Sequence, residues 1–159
     1  MSANKITPFL WFNNNLEEAL EFYQSVFPNA SVNILARWQQ DFENVPKGAV
    51  MTATFELEGQ KFMALNGGPM FKFNESVSFF IECNDQQEVD HYWEKLSEGG
   101  SKSRCGWLKD RFGLSWQVVP KQLGELMYGK DKSKSGKVMQ AMMQMDKIVI
   151  ADLEKAAGE

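Results

Sequence analysis

The sequence has one histidine and two cysteines among 159 residues. A Cys/His structural zinc site needs four soft ligands, and His91, Cys83 and Cys105 cannot supply four without carboxylates. Two cysteines are also too few for a disulfide scaffold. We therefore expect free thiols and a reducing compartment.

Long apolar runs and an excess of positive charge are also missing. No run of about 18 apolar residues occurs, so we expect no membrane span. The apolar stretch at 6–12 is short, contains Pro8 and precedes no cleavage-site pattern. The formal net charge of −4 argues against nucleic acid, since phosphate binding needs a basic face. These absences predict a soluble, cytoplasmic protein.

The chain is rich in large apolar side chains. Hydrophobic residues make up 43% and charged residues 24% of the sequence, which excludes disorder and suffices for a buried core. A length of 159 residues favours one compact domain.

Alternating and helical spacings predict a first set of elements in the order strand, helix and three strands. Residues 5–12 read as a strand, and Asn15 with Glu18 forms a predicted capping box for a helix that Pro28 ends. The three further strands are predicted over the following ranges: 31–38, 48–58 and 60–65, the last two forming a hairpin.

The same order of elements begins again after the break at 66–69. Residues 77–83 are predicted as a strand, and Asp85 with Glu88 repeats the capping box before a helix that ends at Gly99-Gly100. Further strands are predicted at 103–109 and 114–119. A shift of 70 positions aligns Asn15 with Asp85, and a shift of 54 aligns later strands, which indicates an internal repeat.

The C-terminal segment has a different pattern. Residues 130–137 are polar and basic and are predicted to form a solvated linker. Four residues at helical spacing (Val138, Met139, Met142 and Met143) and a last short helix at 151–157 follow. We expect this segment to pack on the domain or on a sister subunit, since methionine packs adaptably.

Several stretches carry a family resemblance. KITPFLWF at 5–12, FMALNGGPMFKFNESVSFFIEC at 62–83, CGWLKDRFGLSWQVVP at 105–120 and the tail at 138–156 resemble the PhnB-like branch of the vicinal oxygen chelate (glyoxalase/bleomycin-resistance) superfamily, a branch often labelled 3-demethylubiquinone-9 3-methyltransferase. The resemblance implies an α+β fold in which two βαβββ modules form a curved sheet with a cleft, followed by C-terminal helices. It places this domain at 1–129, with modules at about 1–68 and 74–122, and the linker and helices at 130–159. Homodimers are usual in the superfamily.

Metal-dependent members of the superfamily supply four ligands, two from each module. Carried over by register, the resemblance places these positions on Pro8, Met63, Ser78 and Gln117. None of these is a histidine or a carboxylate, so the set is ill-suited to a catalytic divalent ion. We therefore predict no metal and no other cofactor, and Gln117 cannot act as a base.

Methyl transfer from a bound cofactor usually relies on a glycine-rich turn between a strand and a helix. Gly67-Gly68 follows a strand and Gly99-Gly100 follows a helix, and neither has that context. The residues therefore give no support to the activity in the family label.

Other chemically notable residues have a plain structural interpretation beside the functional one. His91 lies off the apolar face of its helix and is predicted to be exposed. Cys105 is a weak nucleophile candidate, although a buried inert thiol is favoured, and Cys83 is predicted to be core. The turn at 109–113 is predicted to hold a local ion pair, the alternative being an anion clamp.

Alternate residues of a strand share one face, and this defines the predicted ligand site. The cleft-lining residues are predicted to be Leu10, Phe12, Met63, Ser78, Phe80, Trp107, Ser115 and Gln117. An apolar concavity with a few polar groups is typical of a small-molecule site, so we predict metal-independent binding of an aromatic or apolar ligand. Two alternatives remain. The first is an enzyme, either isomerase-like or lyase-like with Glu82 or Cys105 as catalytic candidates, or the methyltransferase of the family label. The second is a structural dimer module with a collapsed cleft.

Overall fold

The computed structural model describes residues 5–42, 45–129 and 132–158 of the chain. The chain divides into two compact units, residues 1–72 and 73–159. The first unit contains these elements in chain order: β1 (Phe9–Phe12), α1 (Leu16–Val26), β2 (Ser31–Arg37), β3 (Val50–Leu57) and β4 (Gln60–Asn66). Its sheet has the order β1-β4-β3-β2, with β1 parallel to β4 and the other neighbours antiparallel.

The second unit repeats this plan and adds three helices. Its elements are β5 (Ser78–Cys83), α2 (Gln86–Ser97), β6 (Ser101–Lys102), β7 (Trp107–Lys109), β8 (Ser115–Pro120), α3 (Lys121–Tyr128), α4 (Lys132–Met142) and α5 (Ile150–Ala157). The sheet order β5-β8-β7-β6 matches that of the first unit. The predicted α+β class, two βαβββ modules and C-terminal helices, is confirmed.

One face of the first sheet packs against α1 through stacked aromatic rings. The Tyr23 and Phe55 ring centroids are 6.0 Å apart, those of Phe55 and Phe62 are 4.9 Å apart, and all three residues are buried. Each large apolar side chain buried here contributes about 1.5–3 kcal/mol. The α1 face of the sheet is therefore core.

The two predicted capping boxes have different outcomes. Asp85 caps α2 as predicted, accepting from the Glu88 amide at 2.9 Å. Asn15 makes no side-chain cap. The Leu16 amide instead donates to Oδ1 of Asn66 at 2.9 Å, so a residue fifty positions away on β4 caps α1. The sequence pattern could not show a cap that comes from another element.

The C-terminal helices form a cluster of their own around four buried residues: Val138, Ile148, Leu153 and Ala157. Helix α5 confirms the predicted last helix. The predicted linker at 130–137 is wrong, because α4 begins at Lys132 and residues 130 and 131 lie outside the described residues. Helix α3 was not predicted. None of the described helices is long and apolar enough to cross a membrane.

Candidate functional site

In each unit, one face of the sheet packs against a helix (α1 or α2), and the side chains on the opposite face are not part of that core. Directly paired residues of neighbouring strands share a face. In the first unit Met63 of β4 pairs with Phe9 of β1 and Thr54 of β3, and Leu65 pairs with Trp11. These five side chains therefore lie on the face opposite α1.

Strand β1 has the opposite orientation to the one predicted. Leu10 and Phe12 were expected on the cleft face, but they are 8% and 1% exposed and lie on the core side of the sheet. Phe9, 50% exposed, and Trp11 take the places that the sequence analysis assigned to them. Leu10 and Phe12 are therefore core residues, and Phe9 and Trp11 replace them on the face opposite α1.

The cause is one extra residue between β1 and α1. Strand β1 ends three positions before Asn15, whereas β5 ends two positions before Asp85. Asn14 takes up the extra residue in the left-handed region, with φ 58°. A slip of one residue exchanges the two faces of a strand. The strand repeat consequently has an offset of 71, and the first-unit residue equivalent to Ser78 is Thr7 instead of Pro8.

The second unit has the predicted orientation. Ser78 pairs with Ser115 between β5 and β8, and Gln117 pairs with both Phe80 and Trp107. Five of the eight predicted residues therefore share one face of one sheet. We call these five residues the Gln117 face.

Two polar groups of the Gln117 face are arranged in different ways. Nε2 of Gln117 donates to Oγ of Ser78 at 2.8 Å. Ser115 is 1% exposed, and its hydroxyl has no hydrogen-bond partner among the described residues. A buried hydroxyl without a partner costs about 1–3 kcal/mol. The face thus holds one satisfied neutral pair and one hydroxyl available to a ligand.

Each unit has a cavity at the same end of its sheet. The first, of about 520 Å³, includes Thr7, Asn33, Thr54, Lys61 and Met63. The second, of about 260 Å³, includes Ser101, Ser103, Trp107, Lys109 and Ser115. Strand pairing makes Ser101 the counterpart of Ser31, and Ser31 lines the first cavity. The two cavities are therefore at equivalent positions of the internal repeat.

Both basic residues of the 109–113 turn have acidic partners. Lys109 forms an ion pair with Glu75, and its hydrogen bond lowers the pKa of the Glu75 carboxyl. Arg111 lies 3.7 Å from a carboxylate oxygen of Glu98. The predicted ion pair within the turn is wrong: both cations have carboxylate neighbours from outside the turn, while Asp110 within it is buried.

Asp110 holds this turn together from inside, which the sequence analysis did not predict. Asp110 is 2% exposed, and its Oδ1 accepts from the amides of Phe112 and Leu114 at 2.9 and 3.0 Å. Its Oδ2 accepts from the indole N–H of Trp116 at 2.9 Å. The carboxylate thereby fixes the hairpin that carries Trp107 and the other β7 and β8 residues of the Gln117 face.

The remaining candidates fall in different places. Glu82 shares the strand face of Phe80, while His91 is exposed as predicted. Cys83 is buried as predicted, and burial raises the pKa of its thiol to about 12. Cys105 contacts the C-terminal segment, its Sγ lying 3.7 Å from the Met142 carbonyl oxygen. Both cysteines are free.

The residues at the superfamily metal positions do not fit a divalent ion. Thr7 replaces Pro8 in this set, and with Met63, Ser78 and Gln117 it still provides no imidazole and no carboxylate. Among the described residues no group of three or more His, Cys, Asp or Glu side chains is placed to hold a metal.

Both glycine pairs have a structural role within their own units. A Cβ at Gly67 would lie 2.3 Å from the Trp11 ring, and one at Gly100 would lie 2.1 Å from the Lys109 carbonyl oxygen. Gly68 and Gly99 have φ of 79° and 73°, a region that favours glycine. Close packing and turn geometry account for all four.

Comparison with known proteins identifies the family. The family model described as 3-demethylubiquinone-9 3-methyltransferase matches residues 4–119. A Bacillus cereus structure described as a putative 3-demethylubiquinone-9 3-methyltransferase, PhnB protein, is 32% identical, with a TM-score of 0.67 over 74% of this chain and 99% of that chain. A search of the curated proteins found no match.

Two more distant structures share the fold. The Pseudomonas aeruginosa protein PA1353 is 23% identical, with a TM-score of 0.61 over 74% of this chain and 98% of that chain. The Listeria monocytogenes fosfomycin resistance protein FosX, in complex with Mn(II) and sulfate, is 17% identical, with a TM-score of 0.50 over 73% of this chain and 90% of that chain. The chain belongs to the 3-demethylubiquinone-9 3-methyltransferase family, a PhnB-like branch of the vicinal oxygen chelate superfamily.

Proposed function

We propose that this protein binds a small, largely apolar, aromatic ligand without a metal, using the Gln117 face. Phe80 and Trp107 provide rings for stacking, and the polar groups of Ser115 and Gln117 orient a hydrogen-bonding substituent. Small-molecule sites commonly combine apolar walls with a few polar groups. The ligand class follows from this composition.

The observation that carries the proposal is the buried Ser115 hydroxyl. It lines the second-unit cavity and has no partner among the described residues. Buried polar groups are nearly always hydrogen-bonded, so a group without a partner indicates a place for an additional molecule. Ser78 and Gln117, by contrast, satisfy each other at 2.8 Å and need no cation between them.

Ser115→Ala tests the proposal through two opposite effects. Removing an unsatisfied buried hydroxyl should raise the free energy of unfolding of the ligand-free protein by about 1 kcal/mol. The same change should weaken a ligand that uses the hydroxyl by about 5-fold, from one lost hydrogen bond. We would measure thermal shifts with 2-naphthamide, an aromatic probe that can donate and accept, and isothermal titration calorimetry with each variant.

Ser101→Ala is the matched control, because Ser101 lies in the same cavity but is exposed on the edge strand β6. It should change neither quantity by more than about 0.5 kcal/mol. A Ser115→Ala protein that is destabilised, or that binds 2-naphthamide as tightly as the unchanged protein, contradicts the proposal. Failure of 2-naphthamide and of a broad hydrophobic library to raise the unfolding temperature favours the collapsed-cleft alternative.

Metal independence has its own test, since a protein of similar fold was crystallised with Mn(II). Titration with Mn²⁺, Zn²⁺ and Ni²⁺ should show no stoichiometric binding, because the four positions present neutral or soft side chains. Gln117→Glu should raise the affinity for these ions by supplying a carboxylate. Stoichiometric metal in the unchanged protein would contradict this part of the proposal, and an unchanged affinity in Gln117→Glu would contradict the assigned positions.

Location and assembly complete the proposal. We propose a cytoplasmic protein, which two free cysteines support, and a homodimer. The adjacent residues Met70 and Phe71 are 75% and 56% exposed, which supports association through apolar surface. Sedimentation equilibrium should give twice the 18.2 kDa chain mass, whereas the monomer mass would contradict the dimer.

The alternative function is an enzyme. Within that alternative, the placement of Glu82 makes it a better catalytic candidate than Cys105. Glu82 lies on the strand face of Phe80, whereas the Cys105 thiol contacts the Met142 carbonyl. A carboxylate beside a bound apolar ligand can act as a general base. Turnover of a bound metabolite that Glu82→Gln abolishes without loss of binding would establish this alternative.

A further inference from the structure

A second cavity lies in the first unit, at the carboxyl ends of β1 and β4. It has a volume of about 270 Å³, and its lining includes Trp11, Trp38, Phe42, Leu65 and Gly68. We call it the Trp38 cavity. The 520 Å³ cavity lies at the other ends of these strands, where Thr7 and Lys61 are found, so the two are separate.

Two aromatic residues form one preformed wall of the Trp38 cavity. The ring planes of Trp38 and Phe42 are 3° from parallel, with centroids 4.8 Å apart. This separation is typical of stacked rings, which hold each other in place. This wall therefore needs no rearrangement before a ligand enters.

Trp11 lines the same cavity and is fixed from two sides. Its indole N–H donates to the Gly68 carbonyl at 2.9 Å, and its ring occupies the space that a Cβ at Gly67 would fill. The Phe71 ring packs edge-on against it with centroids 4.9 Å apart. Trp11 thus presents a rigid aromatic surface, and its own donor is already used.

The polar groups of the lining leave one donor without an acceptor. The amide of Asn66 is fully engaged, since Oδ1 accepts from the Leu16 amide and Nδ2 donates to the Val50 carbonyl. The indole N–H of Trp38 is buried and has no acceptor among the described residues. None of the described lining residues is charged, which favours a neutral ligand.

We propose that the Trp38 cavity binds a neutral, planar aromatic compound whose ring system or substituent accepts a hydrogen bond from Nε1 of Trp38. An apolar cavity of about 150 Å³ can hold benzene, so about 270 Å³ has room for a two-ring system. Contact with the aromatic and apolar lining supplies affinity, and the indole N–H, which lies in the plane of the Trp38 ring, selects for a ligand that presents an acceptor at the edge of that ring. This site is additional to the proposed function, because it uses no residue of the Gln117 face.

Quinoline and indole form a matched pair of probes for this proposal. Both are flat two-ring molecules, but the quinoline nitrogen accepts and cannot donate, whereas the indole N–H donates. At pH 8, we expect quinoline to bind the full chain about 5-fold more tightly than indole, from one hydrogen bond. Nuclear magnetic resonance of ¹⁵N-labelled protein should show quinoline shifting one of the five indole N–H signals downfield, the one that Trp38→Phe removes.

Two variants and a distant control locate the site. Trp38→Phe keeps a ring but removes the hydrogen-bond donor, so quinoline and indole should bind this variant with about equal affinity. Leu65→Phe fills the cavity from the half-buried Leu65 and should weaken both probes, while Gln87→Ala, exposed on α2, should leave both unchanged. Equal binding of the two probes, a preference that survives in Trp38→Phe, or an unmoved Trp38 signal at the solubility limit of quinoline would overturn the proposal.

Discussion

Replacing Asp110 by asparagine should expose how strongly the second unit depends on one buried carboxylate. Asp110 accepts three hydrogen bonds: the amides of Phe112 and Leu114 donate to Oδ1, and the Trp116 indole donates to Oδ2. Asparagine has the same shape but replaces one acceptor oxygen by an NH₂ group. Whichever way the amide is turned, at least one of these three N–H donors then faces another donor.

The magnitude follows from the bonds lost and weakened. A hydrogen bond to a charged acceptor contributes about 1.5–3 kcal/mol and a neutral one about 0.5–1.5 kcal/mol, while a buried donor without a partner costs about 1–3 kcal/mol. Losing one bond and weakening two is partly offset, because asparagine avoids burying a charge. We expect Asp110→Asn to lower the free energy of unfolding by about 2–4 kcal/mol.

Urea unfolding followed by far-ultraviolet circular dichroism measures this change without relying on tryptophan fluorescence. With a denaturant slope of about 2 kcal/mol per molar, the midpoint should fall by about 1–2 M. Trp116→Phe provides the partner change, because its counterpart in the first unit is Phe62, which is buried in the same strand position. Combining Asp110→Asn with Trp116→Phe should cost about 1–2 kcal/mol less than the sum of the single changes.

Two results would refute this reasoning. A loss of less than about 0.5 kcal/mol for Asp110→Asn would mean that the carboxylate is not what holds the turn. Strict additivity in the double variant would mean that the Asp110–Trp116 hydrogen bond makes no contribution of its own.

Three further predictions concern packing, a long-range clamp and thiol chemistry. Gly67→Ala should lower the free energy of unfolding by about 1–3 kcal/mol, because its Cβ would lie 2.3 Å from the Trp11 ring. Gln86→Ala should also lower the free energy of unfolding by about 1–3 kcal/mol, because the Gln86 side chain holds α5 in place. Its Nε2 donates to the carbonyl at position 148 at 3.2 Å, and its Oε1 accepts from the amide at position 150 at 2.9 Å. Urea unfolding measures both of these changes in stability. Cys83 should resist iodoacetamide at pH 8 in the native protein, because its thiol is buried and its pKa is about 12, and mass spectrometry would show at most one modified cysteine per chain.

The two stability predictions have controls within the chain. Gly124→Ala, in helix α3 with open space around it, should be neutral or stabilising by up to about 1 kcal/mol. Gln87→Ala, exposed beside Gln86, should change stability by less than about 0.5 kcal/mol. Equal losses within either pair, or rapid modification of both cysteines without unfolding, would contradict the structural explanation.

Hydrophobic periodicity and turn residues predicted most of the fold. The order of elements, the internal repeat, the Asp85 cap and the shared face of Ser78 and Gln117 all depend on residues close in sequence or on a fixed alternation. Family resemblance added the fold class and the positions where superfamily metals bind. Several features were missed where a contact between distant elements decided the outcome.

Three features illustrate that limit. Asn66 of β4 caps α1 in place of Asn15, and the sequence near α1 gives no sign of it. Helix α3 has only eight residues and none of them is buried, so its pattern covers little more than two turns; its apolar residues Leu123, Leu126 and Met127 pack against the cluster formed by the C-terminal helices. The buried Asp110 looked like a member of a solvated turn, because the donors that justify its burial are seen only once the hairpin closes.

The sequence by itself determined that this chain repeats one strand–helix–three-strand module, and that the positions to which family resemblance assigns metal ligands hold no histidine and no carboxylate. Side-chain chemistry at known positions needs no coordinates. Tertiary structure alone decided which face of β1 meets the core, because one additional residue at Asn14 inverts a strand. Tertiary structure alone also showed which buried donors and hydroxyls lack partners, since hydrogen bonding between distant residues depends on their three-dimensional arrangement.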